Sequence, residues 1–161
     1  MRKLLDGYRR VAPSPKPKEI VELAIIEKLL EGRHIVIAAG GGGIAMTRKG
    51  GKLIHADAVI DKDLASALLA IRLKADCLFI LTNVDGIFVD FEKKGERMLE
   101  KVSVRELARY ERKGQFEAGS MLPKVKACIE FVKNTGRPAV IGNLEKADRV
   151  FRLEGATVVT P

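Results

Sequence analysis

Tryptophan is absent from these 161 residues and aromatics make up only 5% of them, so any core must be built from aliphatic side chains. Cysteine occurs twice, at Cys77 and Cys128, with no disulfide or metal spacing. Both fall on apolar patterns and are read as reduced core residues of a cytoplasmic protein. The two histidines, His34 and His55, have no partners at recognisable spacing and are taken as structural or surface residues. No Ser-His-Asp or Cys-His arrangement can be read. No apolar run approaches the ~20 residues that cross a bilayer. The start, Met1-Arg2-Lys3-Leu4-Leu5-Asp6, has no signal-peptide apolar region. Repeats, linkers and low-complexity segments are missing as well, and no membrane partner is expected.

What is present fits a single globular domain over residues 1–161, with 47% apolar and 31% charged residues. The formal charge is +8, which raises the question of nucleic acid. The basic residues are dispersed, however, without a block or interleaved aromatics. A phosphate-rich small ligand or a plain solvated surface accounts for the excess as well, and nucleic acid is not expected as a partner.

Along the chain, residues 1–15 are basic and then Pro-rich and read as an extended leading segment. Pro17 can open a first helix that runs to about Glu31 with Ile20, Leu23, Ala24 and Leu30 inward and Gly32 as its stop. Ile35-Val36-Ile37-Ala38-Ala39 is continuously apolar, the signature of a strand buried on both faces. Arg48-Lys49-Gly50-Gly51-Lys52 is a hairpin signal. Asp61 caps a helix to about Lys74. Cys77–Thr82 and Pro138–Ile141 are two further buried strands. Ile87–Val89 is short, Ser103-Val104-Arg105-Glu106 is a capping box, and the helix it starts stops near Gly114. A stronger helix led by Gly119–Lys124 has Met121, Val125, Cys128, Ile129 and Val132 on one face and ends at Gly136. Asn143 caps a last short helix, and Thr157–Thr160 is a terminal strand. Helices alternating with apolar strands predict a mostly parallel sheet with helices on both sides, a three-layer α/β/α arrangement. Ligands of such sheets sit beyond the C-terminal ends of the strands.

Several residues gather at that edge. Lys62 stands at a helix start, where partial positive charge already accumulates, and the misfit is relieved if an anion binds there. Lys124 follows Pro123 at another helix start. Gly40-Gly41-Gly42-Gly43 is neither a P-loop nor a dinucleotide fingerprint. Either it is a flexible turn or its backbone approaches a ligand. Asp85-Gly86 reads first as a turn.

Taken together these stretches resemble the amino acid kinase family, and within it the carbamate kinases. The resemblance rests on Gly7-Tyr8-Arg9-Arg10-Val11-Ala12-Pro13-Ser14-Pro15, on Ile37–Ile44 with its glycines, and on Ala58–Ser66. Leu81-Thr82-Asn83-Val84-Asp85-Gly86 and Gly119–Val125 complete it, five motifs in order over nearly the whole chain. It implies reversible phosphoryl transfer between ATP and carbamate, giving ADP and carbamoyl phosphate, with Mg²⁺. Lys62 and Lys124 would neutralise charge on the transferred group, and Asp63 would hold the lysines. Thr82, Asn83, Val84, Asp85, Gly86, Phe88 and Met121 would line the nucleotide pocket. Gly40, Gly41, Gly42 and Gly43 would lie near the reacting phosphate or acceptor, and no residue is assigned as a metal ligand. A homodimer is implied too. The chain departs from the family at Ala12, Ala45 and Ala118, where Val, Pro and Pro are usual, at Phe88 for Tyr, and at Asp90 for Asn. It is similar only to the C-terminal half of family members. Two alternatives follow: a nucleotide-binding half or non-catalytic remnant that needs a separate N-terminal chain, or a basic binding module without catalysis.

Overall fold

The computed structural model describes residues 12–161, together with the backbone of two short strands that precede them. These are β1 (Arg2–Leu4) and β2 (Gly7–Arg9), an antiparallel pair within the stretch expected to be a loop. Arg10 and Val11 of the leading motif lie outside the described residues. Then follow α1 (Leu23–Glu31), the hairpin β3 (Met46–Lys49) and β4 (Lys52–His55), and α2 (Lys62–Arg72). Next come β5 (Leu78–Thr82), β6 (Phe88–Val89), β7 (Arg97–Met98), β8 (Lys101–Ser103), α3 (Val104–Arg112) and α4 (Met121–Thr135). The chain closes with β9 (Ala139–Asn143), a 3₁₀ turn at Leu144–Lys146, α5 (Ala147–Val150) and β10 (Thr157–Thr160).

The central sheet has the order β5-β9-β10-β8. β5 and β9 run parallel, as do β10 and β8, while β9 and β10 are antiparallel. The sheet is therefore mostly parallel, as the sequence predicts. Side-chain alternation divides it into two faces. Leu78, Ile80, Ala139 and Ile141 point into the main core with α2, α3 and α4, where Phe131, Val125 and Leu107 are fully enclosed. Phe79, Val140 and Val158 point the other way and pack on Val150 of α5. Truncating Phe131 to Ala would remove about 3–5 kcal/mol of stability.

The helix starts follow their local chemistry. Asp61 accepts hydrogen bonds from the N–H groups of Asp63 and Leu64 at 2.9 and 3.1 Å, Ser103 accepts from Glu106 N–H, and Asn143 accepts from Glu145 N–H. α4 ends at Gly136 as expected.

The first third of the chain departs from expectation. α1 begins at Leu23 and not at Pro17, and of its residues only Ile26 is buried. Ala24 and Leu30, expected inward, are exposed, and Leu23 is half-buried. Ile35–Ala39 forms no strand: Ile35 is 98% and Ile37 97% exposed. Among the described residues, no backbone hydrogen bond engages the N–H groups of this run. The physical reason is the same for both. An apolar periodicity reports that a face needs cover, and no described segment lies there to provide it.

Candidate functional site

The C-terminal ends of β5 and β9 face the N-termini of α2 and α4, and the chemistry-bearing side chains collect between them. Asp63 lies in the first turn of α2, fixed by the Asp61 cap, and its side chain is 9% exposed. Its Oδ2 accepts a hydrogen bond from Lys124 Nζ at 2.9 Å, from the first turn of α4. Lys62 Nζ lies 3.5 Å from the same oxygen, with its side chain largely in solvent. Lys124 is enclosed and Lys62 is open, so one lysine is held in place and the other is free to reach a ligand. Two cations on one carboxylate leave a net positive charge where two helix N-termini converge, an arrangement suited to a phosphoryl group. Cys128, one turn further along α4, is fully buried, and burial together with the nearby Asp63 charge pushes its thiol far up. It is therefore inert packing, as expected.

A cavity of about 430 Å³ opens beside Lys124. Its floor is Thr82, Asn83 and Val84 at the end of β5. One wall is Phe88, Phe91 and Glu92, and the other is Gln115, Phe116 and Glu117 with Ser120 and Met121. Phe88 and Phe91 meet edge-on at 6.0 Å. The volume falls in the range of small-molecule sites, about 300–1,000 Å³.

Of the residues singled out in the sequence, Thr82, Asn83, Val84, Phe88, Met121 and Lys124 line this cavity, and Asp63 is bonded to Lys124 beside it. Asp85 and Gly86 do not line it. Asp85 turns to accept hydrogen bonds from Asn143 Nδ2 at 3.0 Å and Lys146 Nζ at 2.8 Å, and these hold its carboxyl below the usual carboxylate range. Gly86 passes so close to Thr157 that a Cβ would collide with its hydroxyl. That hydroxyl in turn accepts a hydrogen bond from Ile87 N–H at 2.7 Å. Both residues thus pin the loop whose neighbours form the floor.

The glycine run borders the start of α2. Gly42 has φ +124°, and a side chain there would overlap the Ile60 carbonyl, just before Asp61. The close approach is to the chain's own backbone. Added side chains at Gly40, Gly41 and Gly43 would meet open space. The Gly40–Gly43 loop and the lysine pair are therefore neighbours through Ile60.

Phe91 and Glu92 of one wall and the Gln115–Glu117 stretch of the other were not singled out by sequence reasoning. The signal was present in the two glycines, Gly114 and Gly119, that bracket this loop directly before the recognised motif. Among the described residues there is no group of three or more His, Cys, Asp or Glu side chains able to cage a metal. Asp63, the carboxylate nearest the lysines, is already engaged by both of them. The donor set thus does not fit a protein-held ion. No described helix is long and apolar enough to cross a membrane.

Comparison with known proteins places this geometry among relatives. Residues 3–143 match the model of the amino acid kinase family. The chain is 47% identical over 161 residues to a carbamate kinase of Thermoplasma volcanium, covering all of this chain and 53% of that protein. It is 50% identical over 151 residues to a carbamate kinase of Thermococcus kodakarensis, covering 94% of this chain and 47% of that one. Among solved structures, carbamate kinase from Giardia lamblia bound to AMP-PNP superposes with a TM-score of 0.93 at 41% identity, covering 99% of this chain and 51% of that chain. The chain spans about half the length of the curated relatives it matches.

Proposed function

This chain belongs to the amino acid kinase family, and on that premise we propose that it is the nucleotide-binding part of a carbamate kinase-like phosphotransferase. The reaction is ADP + carbamoyl phosphate ⇌ ATP + carbamate. A terminal β-phosphate oxygen of ADP attacks phosphorus, the bond from phosphorus to the carbamate oxygen breaks, and carbamate leaves with that electron pair. The observation that carries the reading is the Lys124–Asp63–Lys62 cluster at the edge of the 430 Å³ cavity. Phosphoryl transfer asks mainly for positioning and for positive charge around the transferred group, with little covalent chemistry. Lys124, held by buried Asp63, gives fixed charge. Lys62, in solvent, gives charge that can follow the phosphoryl group. Phe88, Phe91 and Met121 offer apolar surface to a base, and Thr82 to Val84 offer polar groups beneath it. The Gly40–Gly43 loop, beside the start of α2, offers open backbone to the acceptor side. Mg²⁺ belongs to this reading as part of the Mg–nucleotide substrate, held by phosphate oxygens and water.

The uncovered apolar run Ile35–Ala39 and the half-length match favour a second element of the reading: turnover requires a partner segment equivalent to the N-terminal half of the relatives. Dimerisation and a cytoplasmic setting complete it, the latter in keeping with two free cysteines. The test is ATP formation from Mg-ADP and carbamoyl phosphate by the purified chain, alone and mixed with the N-terminal half of a full-length relative, with Lys124→Ala prepared in parallel. Activity that appears on mixing and vanishes in the variant is the expected result. Nucleotide binding without turnover in any mixture would sink the catalytic reading, and sedimentation of the chain would test the dimer.

A further inference from the structure

The two walls of the cavity come from separate loops, one following β6 and one joining α3 to α4. Across them lies a reciprocal pair. Asp90 N–H donates to Gln115 Oε1 at 2.9 Å, and Gln115 Nε2 donates back to Asp90 Oδ1 at 3.1 Å. The reciprocity fixes the amide orientation, since a flipped amide would set donor against donor and acceptor against the carboxylate. Asp90 has φ +52°, a left-handed conformation that Asp and Asn accept more readily than other side chains. Among the hydrogen bonds of the described residues, this pair is what joins the two loops; the nearby Arg97–Tyr110 bond links β7 to α3 instead. Asp90 sits two residues beyond Phe88 and next to Phe91, and Gln115 precedes Phe116 and itself lines the cavity.

We propose that Asp90 and Gln115 are positioning residues, a two-bond clamp that fixes the spacing between the Phe88–Glu92 wall and the Gln115–Met121 wall and so sets affinity for the nucleotide. This rests on the reading of the cavity as a nucleotide site. The clamp acts without touching the reacting phosphoryl group, so it governs binding of ADP and ATP and leaves the lysine cluster unchanged. An Asn at position 90 would keep both bonds, because its carbonyl oxygen accepts as the carboxylate does and its backbone N–H is unaltered.

The experiment is calorimetric titration of ADP into the purified chain and its variants, with thermal unfolding as the folding control. Gln115→Ala is expected to weaken ADP binding about tenfold, the effect of losing one to two hydrogen bonds, while Asp90→Asn stays within about twofold of the unmodified chain. Q115E supplies a readout that mere packing would not move. Its ionised carboxylate opposes Asp90 at about pH 8, and a like-charged neighbour raises one pKa of such a pair, so the proton regained towards about pH 4 restores a donor and its deficit against the unmodified chain shrinks as pH falls. Equal binding by Q115A, or a Q115E deficit flat with pH, overturns the clamp. Absence of ADP binding by the unmodified chain would instead count against the nucleotide reading. The clamp is then judged by hydrogen exchange: Q115A must speed exchange of the Asp90 amide and of the 114–120 loop, and unchanged exchange overturns it.

Discussion

Ile35-Val36-Ile37-Ala38-Ala39 and Ala139-Val140-Ile141 are written in the same apolar vocabulary, and the fold treats them in opposite ways. Ala139, Val140 and Ile141 are wholly buried, with β5 on one side, β10 on the other, α4 beneath and α5 above. Ile35 and Ile37 stand in solvent with Val21, Ile25 and Leu29 of the preceding segment also exposed. The contrast extends over the described residues. Within residues 12–60 the buried apolar side chains are Ile26 and Ala45, and the rest of the buried core of the described residues lies beyond residue 61. Apolar sequence supplies the demand for burial, and neighbouring strands decide whether it is met. The region that meets it carries the lysine cluster and the cavity.

The sharpest way to break this comparison is to place a charge in each strand. Val140→Asp buries an unpaired carboxylate between two packed layers and is expected to remove at least about 4 kcal/mol, enough to unfold the chain. Ile37→Asp in the same chain is expected to shift stability by no more than about 0.5 kcal/mol, measured by denaturant unfolding. Equal destabilisation by both would mean that the 35–39 run is covered in solution. In the presence of the N-terminal half of a relative the order should change, with Ile37→Asp abolishing association.

The two lysines extend the comparison to the site. Lys124→Ala leaves buried Asp63 with only the exposed, longer contact to Lys62, and is expected to lower stability by about 1–3 kcal/mol. Lys62→Ala removes a largely solvated charge and should change stability by less than about 1 kcal/mol. In any active assembly, each variant is expected to cut turnover about 100-fold or more. Stability losses of the same size would show that Lys62 is enclosed as firmly as Lys124, and near-normal rates in both would remove their proposed roles.

How much of this was legible depended on the range of each interaction. The Asp61, Ser103 and Asn143 caps and the Gly136 stop are local, and each is where the residue types put it. Strands β1, β2, β7 and the central-sheet strand β8 were not read, whereas the helices and strands β5, β9 and β10 followed from periodicity. The inward face of α1 and the Ile35 strand did not, because periodicity shows that a face is apolar and says nothing of what covers it. Lys62 and Lys124 were marked by a charge misfit at helix starts and by a motif, and Asp63 by the motif alone. Gln115 and Asp90 meet across 25 positions of sequence through loop geometry alone; Gly114 and Gly119 mark a loop around Gln115, and no local pattern marks the pairing. Asp85 is the instructive middle case. Its motif was legible, but its partners Asn143 and Lys146 lie 58 and 61 positions away.

The smallest expected effect concerns that same Asp85, and it contrasts a loop held by exposed charge with strands held by burial. Lys146 and Asn143 favour the ionised carboxyl, so its folded pKa lies below the ordinary value of 3.8. A lowered carboxylate pKa stabilises the fold in full above the unfolded value, and the contribution is lost as pH falls through the folded value. The unmodified chain should therefore melt slightly above Asp85→Asn at neutral pH, by about one or two degrees given the exposure of the pair. The gap should stay constant down to about pH 4 and close below it. Lys146→Ala should shrink the gap at neutral pH, because the Lys146 hydrogen bond that most favours the ionised carboxyl is gone. Added salt should shrink it too, since an exposed pair is screened. The Val140→Asp effect should be indifferent to salt at the same concentrations. No gap at neutral pH would mean that the 83–86 loop is held by Gly86 against Thr157 and by the Ile87 hydrogen bond, with the carboxylate contributing nothing.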